Sequence, residues 1–232
     1  MAKKVLNIKV DLHTHLLPGV DDGAKNREEA LAMLRGMTDA GIQHLYLTPH
    51  IRSSHFPNTP ASLLPVFEGF QQAVAQAGID VRLDLCAEYY MDAAFQTAIQ
   101  AETPLLCFPG NYLLVEISMH QEPLFLFETL FDIQNRGYKL ILAHPERYPF
   151  YWKKMEIYHK LRHAGCLLQV NLFSFIGYYG KEVKATVELL HKNRLIDLIA
   201  TDIHHVNQVE LLSDGAIWKL LDTIEVKNNQ FL

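Results

Sequence analysis

The chain has 232 residues, 49% hydrophobic and 20% charged, enough to bury a core of its own, so we expect one domain over 1–232. The formal net charge of −5 argues against nucleic acid or an anionic membrane as a partner. Three scattered cysteines (Cys86, Cys107 and Cys166) and the lack of an apolar run of about 18 residues predict a cytoplasmic protein without disulfides or membrane insertion.

Seven short apolar runs typical of strands occur along the chain, and segments with helical periodicity lie between them. The runs cover residues 5–12, 43–48, 81–87, 111–117, 138–143, 166–171 and 195–201. This alternation predicts an α/β fold with a parallel sheet. Seven such units can close into a slightly irregular barrel or stay open as a doubly wound sheet.

The helices with the clearest signals cover about 26–41, 123–137, 181–193 and, more weakly, 206–223. Asn26 is a candidate N-cap, with Glu29 three residues later and Gly41 just past the predicted end. In the second helix, the periodicity predicts a buried stripe formed by Leu124, Phe127, Leu130, Phe131 and Ile133.

Residues of the types that bind metals follow six of the seven strand-like runs. They are His13, His15, His50, Glu88, Glu116, His144, Asp202 and His204. In an open sheet, ligands gather at one switch point between two strands. Candidates at six strand ends converge only if the sheet curls round. We therefore predict a distorted (β/α)7 barrel, similar to a TIM barrel, with a metal site at its carboxyl-terminal mouth.

Asp11, His13 and His15 alternate along the first strand, so period-2 geometry would point all three to one side. Two imidazoles on one strand can hold a cation, with Asp11 orienting one of them. Taken alone, the three could equally be polar residues on a half-exposed strand. Asp202 and His204 repeat the spacing on the last strand, and two such pairs at the ends of the chain suit the seam of a barrel.

Glu88 and Glu116 each end an apolar run, where a carboxylate is costly to bury unless it is paired or bound to a cation. A salt bridge to Lys or Arg is the alternative for either residue alone. Glu88 could bridge two metals, because a carboxylate has two oxygens. Asp22 lies in a turn rich in Asp and Gly, where a role in the turn is the default and spacing alone does not make it a ligand.

His144 stands at a strand end, and Arg147 follows three residues later. A guanidinium is always charged and matches phosphate oxygens in a bidentate pair. The arrangement indicates a phosphate site beside a metal site. An ion pair of Arg147 with Glu146 or another acid is the alternative.

Seven segments together resemble the PHP (polymerase and histidinol phosphatase) superfamily, and more narrowly the manganese-dependent bacterial protein-tyrosine phosphatases of capsule and exopolysaccharide loci. The segments are 11–15, 18–23, 48–50, 87–88, 115–119, 143–148 and 201–204. They span nearly the whole chain in the expected order. The resemblance implies a distorted barrel of seven β/α units, in agreement with the strand count.

The resemblance also implies three metal sites and a phosphate contact at Arg147. The implied ligand sets are His13, His15, Glu88 and Asp202; then Glu88, Glu116 and His144; then Asp22, His50 and His204. Nitrogen and oxygen ligands suit divalent ions such as Mn²⁺, the first choice, or Fe and Zn²⁺. Arg147, Asp202 and His204 would carry catalysis, in which a metal-activated hydroxide attacks the phosphorus.

The chain departs from the family pattern in one respect. A second arginine is expected shortly after the last metal histidine, but residues 205–209 contain none. Arg52, His55 or Gln208 could replace it as a phosphate contact, and Asn171 could hydrogen-bond substrate or water. The aromatic residues next to these motifs could line a pocket or simply pack the barrel: Phe56, Tyr89, Tyr90, Tyr148 and Phe173.

The sequence thus predicts a metal-dependent phosphomonoesterase. The resemblance implies a protein-tyrosine phosphatase whose partner is the tyrosine-rich tail of a bacterial autokinase that regulates capsular or exopolysaccharide synthesis, and a homo-oligomer is left open. The alternatives are a PHP phosphatase for histidinol phosphate or a nucleotide, and a non-catalytic metal-binding module. A cysteine-dependent phosphatase needs an arginine six positions after its nucleophile. The sixth residues after Cys86, Cys107 and Cys166 are Asp92, Leu113 and Leu172, so none of the three cysteines fits that mechanism.

Overall fold

The computed structural model describes residues 6, 8–101 and 103–232, and the strands within that part of the chain pair only in parallel. The strands are β1 (Val10–Thr14), β2 (His44–Leu47), β3 (His50–Ile51), β4 (Arg82–Leu85), β5 (Glu88–Tyr90), β6 (Tyr112–Glu116), β7 (Lys139–Ala143), β8 (Leu167–Asn171) and β9 (Leu198–Ala200). The α-helices are α1 (Arg27–Asp39), α2 (Pro60–Gln76), α3 (Ala93–Gln100), α4 (Leu126–Asn135), α5 (Met155–His163), α6 (Lys181–Lys192) and α7 (Gly215–Leu221).

The strands form a closed ring. β1 pairs with β2 and β2 with β4, while β3 pairs with β5 and the later strands follow in chain order to β9. The ring closes at β1: the N–H of Asp202 donates to the carbonyl oxygen of His13 (2.9 Å), and that of His15 donates to the carbonyl oxygen of Ile203 (3.0 Å). The prediction of a barrel rather than an open sheet is confirmed.

Two positions of the barrel wall are each built from two short strands. β2 is followed after a break by β3, and β4 is followed in the same way by β5. Pro49 lies in the first break and has no N–H to offer a neighbouring strand. The amino-terminal halves, β2 and β4, continue the sheet that starts at β1, whereas the carboxyl-terminal halves, β3 and β5, belong to the sheet that continues through β6. This division distorts the barrel.

Apolar side chains fill the barrel below its carboxyl-terminal mouth. They include Val10, Leu12, Tyr46, Cys86, Leu114, Ile141, Leu198 and Ala200, with Phe231 packed against them. Strand residues two apart share a face. Glu88, Glu116 and Asp202 each stand two residues beyond one of these apolar residues. The polar cluster is therefore the next layer above the apolar one.

The helix predictions are confirmed in part. In α1, Asn26 Oδ1 accepts a hydrogen bond from the N–H of Glu29 (2.9 Å), as expected of an N-cap, and α6 ends one residue before the predicted bound. The predicted tail helix is divided into a 3-10 helix (Val206–Ser213) and α7, because Asp214 caps a new helix through the N–H of Ala216 (2.7 Å). No helix in the described part of the chain has the length and hydropathy needed to cross a bilayer.

The predicted buried stripe of α4 is wrong for three of its five residues. Leu124, Phe127 and Phe131 are 88%, 40% and 62% exposed. The helix begins at Leu126 rather than near Pro123, and it buries Leu126, Thr129, Leu130 and Ile133, a stripe of the same helical period displaced around the axis. The inward-facing Thr129 has hydrogen-bond partners there: its hydroxyl accepts from Gln96 Nε2 of α3 (3.2 Å) and donates to the carbonyl oxygen of Phe125 (2.9 Å).

The first strand lies later than predicted. β1 begins at Val10 and runs past His13, whereas the sequence predicted 5–12. Residues 5 and 7 of that range lie outside the described residues. The pairing of β1 with β2 shifts register between Asp11 and Thr14, and this irregularity interrupts the simple period of two.

Candidate metal centre

The floor of the candidate site is formed by His13 and His15 at the end of β1. Their Nε2 atoms lie 3.1 Å apart, and both side chains are fully buried. Glu88 Oε2 lies 3.2 Å from His13 Nε2 and 3.5 Å from His15 Nε2, and Asp202 Oδ1 lies 3.3 and 3.5 Å from the same two atoms. Two imidazoles and two carboxylates thus converge on one point inside the barrel.

Each of these two imidazoles is held by a hydrogen bond on its far side. His13 Nδ1 lies 2.8 Å from Gln169 Oε1 of β8, and His15 Nδ1 lies 2.7 Å from Asp21 Oδ2. A hydrogen bond from the Nδ1–H leaves Nε2 with a free lone pair. Both rings therefore present their Nε2 acceptors to the centre of the cluster, as metal ligands do.

Asp21 is a residue whose role the sequence analysis missed. Its side chain is fully buried, and its carboxylate also accepts from the backbone N–H of His50 (3.1 Å) and of Gly23 (3.0 Å). A Cβ at Gly23 would overlap the backbone of His15, so only glycine lets this loop close over the histidine. The signal in the sequence was the pair Asp21-Asp22, in which only the second residue was considered as a ligand.

Asp11 does not orient either imidazole, so that prediction is wrong. Its two carboxylate oxygens accept from the N–H and the hydroxyl of Thr201 (3.1 and 2.6 Å), and one also accepts from the N–H of His13 (3.3 Å). The register shift in β1 places Asp11 at the seam with the last strand, where it joins two backbone segments instead of a ring.

Glu88 lies at the centre of the cluster. It is fully buried, and its two oxygens face different histidines: Oε1 is 3.0 Å from His144 Nε2, and Oε2 is 3.0 Å from His50 Nδ1. Among the described residues, neither Glu88 Oε2 nor His50 Nδ1 makes a hydrogen bond of good geometry, although Glu88 Oε2 lies 3.0–3.5 Å from the nitrogens of His50, His13 and His15. A buried carboxylate oxygen without such a hydrogen bond is costly, and a cation between it and the surrounding ring nitrogens would remove that cost.

The rim of the cluster is open to solvent on one side. Asp22 Oδ1 lies 3.5 Å from both His50 Nε2 and His204 Nε2, and the side chain of Asp22 is 57% exposed. His204 stacks on His15, with ring centroids 3.9 Å apart. The buried floor and the accessible rim give a ligand a direction of entry.

Two residues of the cluster have backbone conformations that non-glycine residues seldom adopt. His144 has a φ of 34° and Asp202 a φ of 53°. Both stand where a strand ends, and the left-handed turn directs the side chain into the cluster. Such strain concentrates at functional sites, because the surrounding structure must hold it in place.

The electrostatics of the site favour a bound cation. Burial lowers the pKa of His13, but the charges of Glu88 and Asp202 outweigh it and raise the pKa to about 9, so they attract a positive charge to this ring, either a proton or a metal ion that displaces it. Burial and the nearby Arg147 lower the pKa of His144 to about 4, so this ring is neutral and keeps its lone pair. Burial and the charge of Glu88 raise the pKa of Glu116 to about 7. The carboxylates are close enough to repel one another, and a metal ion would relieve that repulsion.

All nine predicted ligands meet in this cluster, but their grouping differs from the sets implied by the resemblance. Four groups have ligand atoms within 4.8 Å of one another: His15, Asp22, His50 and His204; His13, His15 and Glu88; His13, His144 and Asp202; His50, Glu88 and Glu116. His144 lies with His13 and Asp202, but its Nε2 is also 3.0 Å from Glu88 of its implied set, and His50 lies near Glu116 as well as near Asp22 and His204. The donors are all nitrogen and oxygen, which fits Mn²⁺, Fe or Zn²⁺.

Arg147 lies at the edge of this cluster. Its Nη1 donates to Asp202 Oδ2 (2.8 Å), and its guanidinium lies 4.5 Å from the centroid of the Tyr179 ring. Asn171 does not have a free amide for substrate, because its Nδ2 donates to the same Asp202 oxygen (2.6 Å) and its Oδ1 accepts from Gln169 Nε2 (3.0 Å). Asn171 therefore contacts a predicted ligand rather than the open rim.

The structure distinguishes the three residues suggested as a second phosphate contact. Gln208 is buried, and its Oε1 accepts from the N–H groups of His204 and His205 (2.7 and 2.8 Å), so it caps the 3-10 helix. His55 is exposed and pairs with Ser54 Oγ (2.7 Å). Arg52 is half-buried, follows His50 by two residues, and has a buried Nε with no hydrogen-bond partner in the described structure.

The five aromatic residues near the motifs fall into two classes. Tyr89, Tyr148 and Phe173 belong to the core, where they are almost completely buried. Phe56 and Tyr90 are partly exposed at the mouth: the Phe56 ring stacks on His50, and Tyr90 lies under Arg52. Only these two remain candidates for an aromatic contact with a ligand.

The fold and the cluster together define the class of protein: a distorted PHP-type barrel with histidines and carboxylates gathered at its mouth. The profile described as "Capsular polysaccharide synthesis, CpsB/CapC" matches residues 9–211. The chain therefore belongs to the CpsB/CapC family.

Two curated relatives match over most of the chain. The tyrosine-protein phosphatase YwqE of Bacillus subtilis (strain 168) is 25% identical over 211 residues, covering 91% of this chain and 83% of that protein. The tyrosine-protein phosphatase CpsB of Streptococcus pneumoniae is 27% identical over 204 residues, covering 85% of this chain and 84% of that protein.

Two solved structures share the fold. One, described with YwqE from Bacillus subtilis and CpsB from Streptococcus pneumoniae as metal-dependent tyrosine phosphatases, has a TM-score of 0.80 at 23% identity and covers 96% of this chain and 94% of its own. A histidinol phosphate phosphatase from Lactococcus lactis, solved with zinc, L-histidinol and phosphate, has a TM-score of 0.59 at 15% identity. The match covers 94% of this chain and 95% of that one. These similarities support the barrel predicted from the strand pattern.

Proposed function

We propose that this protein is a metal-dependent phosphomonoesterase that hydrolyses phosphotyrosine in proteins. The observation that carries the proposal is the convergence of nine residues with nitrogen or oxygen ligand atoms on one cluster, with Arg147 beside them. The family membership supports it, since relatives over most of the chain are named tyrosine-protein phosphatases. A metal centre next to a guanidinium suits a phosphate dianion.

The nine residues would hold three divalent ions, with Mn²⁺ as the first choice. Three such ions against the carboxylates of Asp22, Glu88, Glu116 and Asp202 leave a net charge of about +2, which attracts a phosphomonoester dianion. When bound, the metals would lower the pKa of a water molecule toward about 7 and so make a nucleophile available. His204, at the open rim, and Asp202, on the floor, hold this centre from the last strand.

Arg147 binds a phosphate oxygen and stabilises the charge that develops there in the transition state. The Tyr179 ring and the Asp202 carboxylate keep the Arg147 guanidinium in place, so little side-chain entropy is lost when it binds the phosphate. Asn171 and Gln169 act as positioning residues, because they fix Asp202 and His13 rather than contact the open rim.

The partner we propose is a phosphotyrosine protein, namely the tyrosine-rich tail of a bacterial autokinase that regulates capsule or exopolysaccharide synthesis. A tail of this kind can enter the open rim near Asp22 and His204 in an extended form. The reaction then takes place in the cytoplasm, where such a tail would be phosphorylated and where the free thiols of the chain stay reduced.

A comparison of substrates under added Mn²⁺ tests the assignment. We expect kcat/KM for a phosphotyrosine peptide to exceed that for the matching phosphoserine peptide and for histidinol phosphate by at least about tenfold, which corresponds to about 1.4 kcal/mol. Phenolate is a better leaving group than an alkoxide, and it fits a site with a partly exposed aromatic residue. Equal or faster turnover of histidinol phosphate would contradict the tyrosine assignment but keep the phosphoesterase one.

Removal of the cysteines tests the metal mechanism against a thiolate mechanism. Burial raises the pKa of all three thiols, that of Cys166 to about 12, so none is a thiolate at neutral pH. We expect the triple variant with serine at all three positions to retain most of its activity, measured as kcat/KM. Alanine at the buried Cys86 and Cys166 is the second variant, because serine there loses a favourable apolar contact. A cysteine variant that is folded and contains metal but has no activity would contradict the metal mechanism.

A further inference from the structure

A tight hairpin, Arg52–Phe56, follows β3 at the mouth of the barrel. Its ends are joined by two backbone hydrogen bonds of 2.9 Å between Arg52 and Phe56. Ser53 donates to Asp92 Oδ2 through both its N–H (3.2 Å) and its hydroxyl (2.7 Å), while Asp92 Oδ1 caps α3. The hairpin is therefore fixed to the body of the protein.

Arg52 lies one layer above the metal cluster. It follows His50 by two residues, so both side chains leave the strand on the same face. In the neighbouring strands, Glu88 pairs with His50, and Tyr90 pairs with Glu116. The Arg52 guanidinium lies 4.1 Å from the centroid of the Tyr90 ring.

The mouth thus has two arginines, each resting on a tyrosine ring. Arg147 rests on Tyr179 next to Asp202, and Arg52 rests on Tyr90, whose partner in the neighbouring strand is Glu116. The strands that carry Asp202 and Glu116 occupy different parts of the barrel wall. Arg52 Nε is buried without a hydrogen-bond partner in the described structure, so it has a donor left for a ligand. A phosphate oxygen of a ligand bound at the cluster would satisfy that donor.

The other end of the hairpin offers an apolar face. The Phe56 ring is nearly parallel to the His50 ring, with an interplanar angle of 10° and centroids 5.4 Å apart. Phe56 is only partly buried. An aromatic ring that projects from the phosphate toward this side of the mouth can pack against it, whereas a short alkyl group cannot make the same contact.

We propose that the Arg52–Phe56 hairpin makes the site selective for aryl phosphomonoesters, with Arg52 as a phosphate anchor and Phe56 as the contact for the aromatic ring. The inference rests on the proposed phosphoesterase function and names the residues that determine its specificity. Arg52 acts on every phosphorylated substrate, and Phe56 acts only on those with an aromatic leaving group.

The role of Arg52 is tested with inorganic phosphate as a competitive inhibitor. We expect Arg52→Met to raise the inhibition constant for phosphate about 10- to 100-fold, the effect of losing one charge-assisted hydrogen-bonding group. Arg52→Lys should recover part of the loss, because it restores the charge without the planar donor pair. Arg82→Met is the matched control: Arg82 begins β4 at the opposite end of the barrel and pairs with Asp84 (2.9 Å).

The role of Phe56 is tested with phosphotyrosine and phosphoserine peptides of one sequence. We expect Phe56→Leu to lower kcat/KM for the phosphotyrosine peptide about 3- to 10-fold through KM, and to leave the phosphoserine peptide and phosphate inhibition unchanged. Phe131→Leu, at an exposed position of α4, is the control. Metal content measured by mass spectrometry should equal that of the wild type in every variant.

The outcomes separate this inference from the proposed function. If Arg52→Met hydrolyses phosphotyrosine at the wild-type rate and has an unchanged inhibition constant for phosphate, Arg52 is not a phosphate anchor. If Phe56→Leu lowers kcat/KM equally for both peptides, Phe56 is not a specific contact for the aromatic ring. A metal-loaded wild type that hydrolyses neither peptide would overturn the proposed function itself.

Discussion

Replacing Glu88 by glutamine is expected to lower kcat/KM for a phosphotyrosine peptide by at least about 10³-fold, or about 4 kcal/mol of transition-state stabilisation. Glu88 faces His144 with one oxygen and His13, His15 and His50 with the other, and no other carboxylate of the described residues contacts as many of these histidines. Glutamine keeps the shape but loses the charge and turns one acceptor into a donor. The measurement is steady-state kinetics, with metal content determined on the same samples.

The matched control for this variant is Asp84→Asn. Asp84 lies on β4, the strand that leads into Glu88, and it too pairs with a histidine, His44 (2.7 Å), but at the other end of the barrel. We expect this variant to keep its activity and its metal. A folded Glu88→Gln protein with wild-type turnover would contradict the assignment of the centre, whatever its metal content.

The convergence of the candidate metal ligands on one cluster could be predicted because of the topology. In a parallel barrel every strand ends at the same rim, so residues that follow strands converge however far apart they are in sequence. Asp202 and His13 are an example: they come from the last strand and the first, and the barrel closes with a backbone hydrogen bond between them (2.9 Å). The strand pattern was sufficient to infer this contact.

The residues that hold the ligands in place could not be predicted in the same way. Gln169 contacts His13 across 156 positions of sequence, and Asp21 reaches His15 only because the loop turns back at Gly23. Such pairs depend on side-chain rotamers and loop shape rather than on strand order. Asn171 shows the converse error, because its place at a strand end suggested a substrate contact, while its amide is already bonded to Asp202.

The error in α4 has a similar physical cause. Both the predicted and the observed apolar stripes have helical period and share Leu130 and Ile133, so the periodicity alone cannot choose between them. The packed structure distinguishes them: Leu126 and Thr129 are buried, and the Thr129 hydroxyl accepts a hydrogen bond from Gln96 of α3. Leu124, Phe127 and Phe131 were left on the outside.

Removal of metal is expected to destabilise the protein as well as inactivate it. Four carboxylates and five histidines crowd the cluster, and cations bound between them would also stabilise the folded state by mass action. At a metal concentration 100-fold above its Kd, one site contributes about 2.7 kcal/mol. For a chain of this size that corresponds to a rise in Tm of about 5–10 °C per site. The measurement is thermal unfolding of the stripped protein with and without added Mn²⁺.

The Glu88→Gln protein, stripped of metal and given Mn²⁺ in the same way, shows whether the rise in Tm comes from binding at this cluster or from ions bound elsewhere on the protein. Since Glu88 bridges the groups around it, its loss should remove most of the rise in Tm, whereas the Asp84→Asn control should show the full rise. Activity should return with the rise in Tm as Mn²⁺ is added, because both depend on the same occupied sites. A stripped wild type that keeps both its Tm and its turnover at substoichiometric metal would contradict the metal centre and the mechanism derived from it.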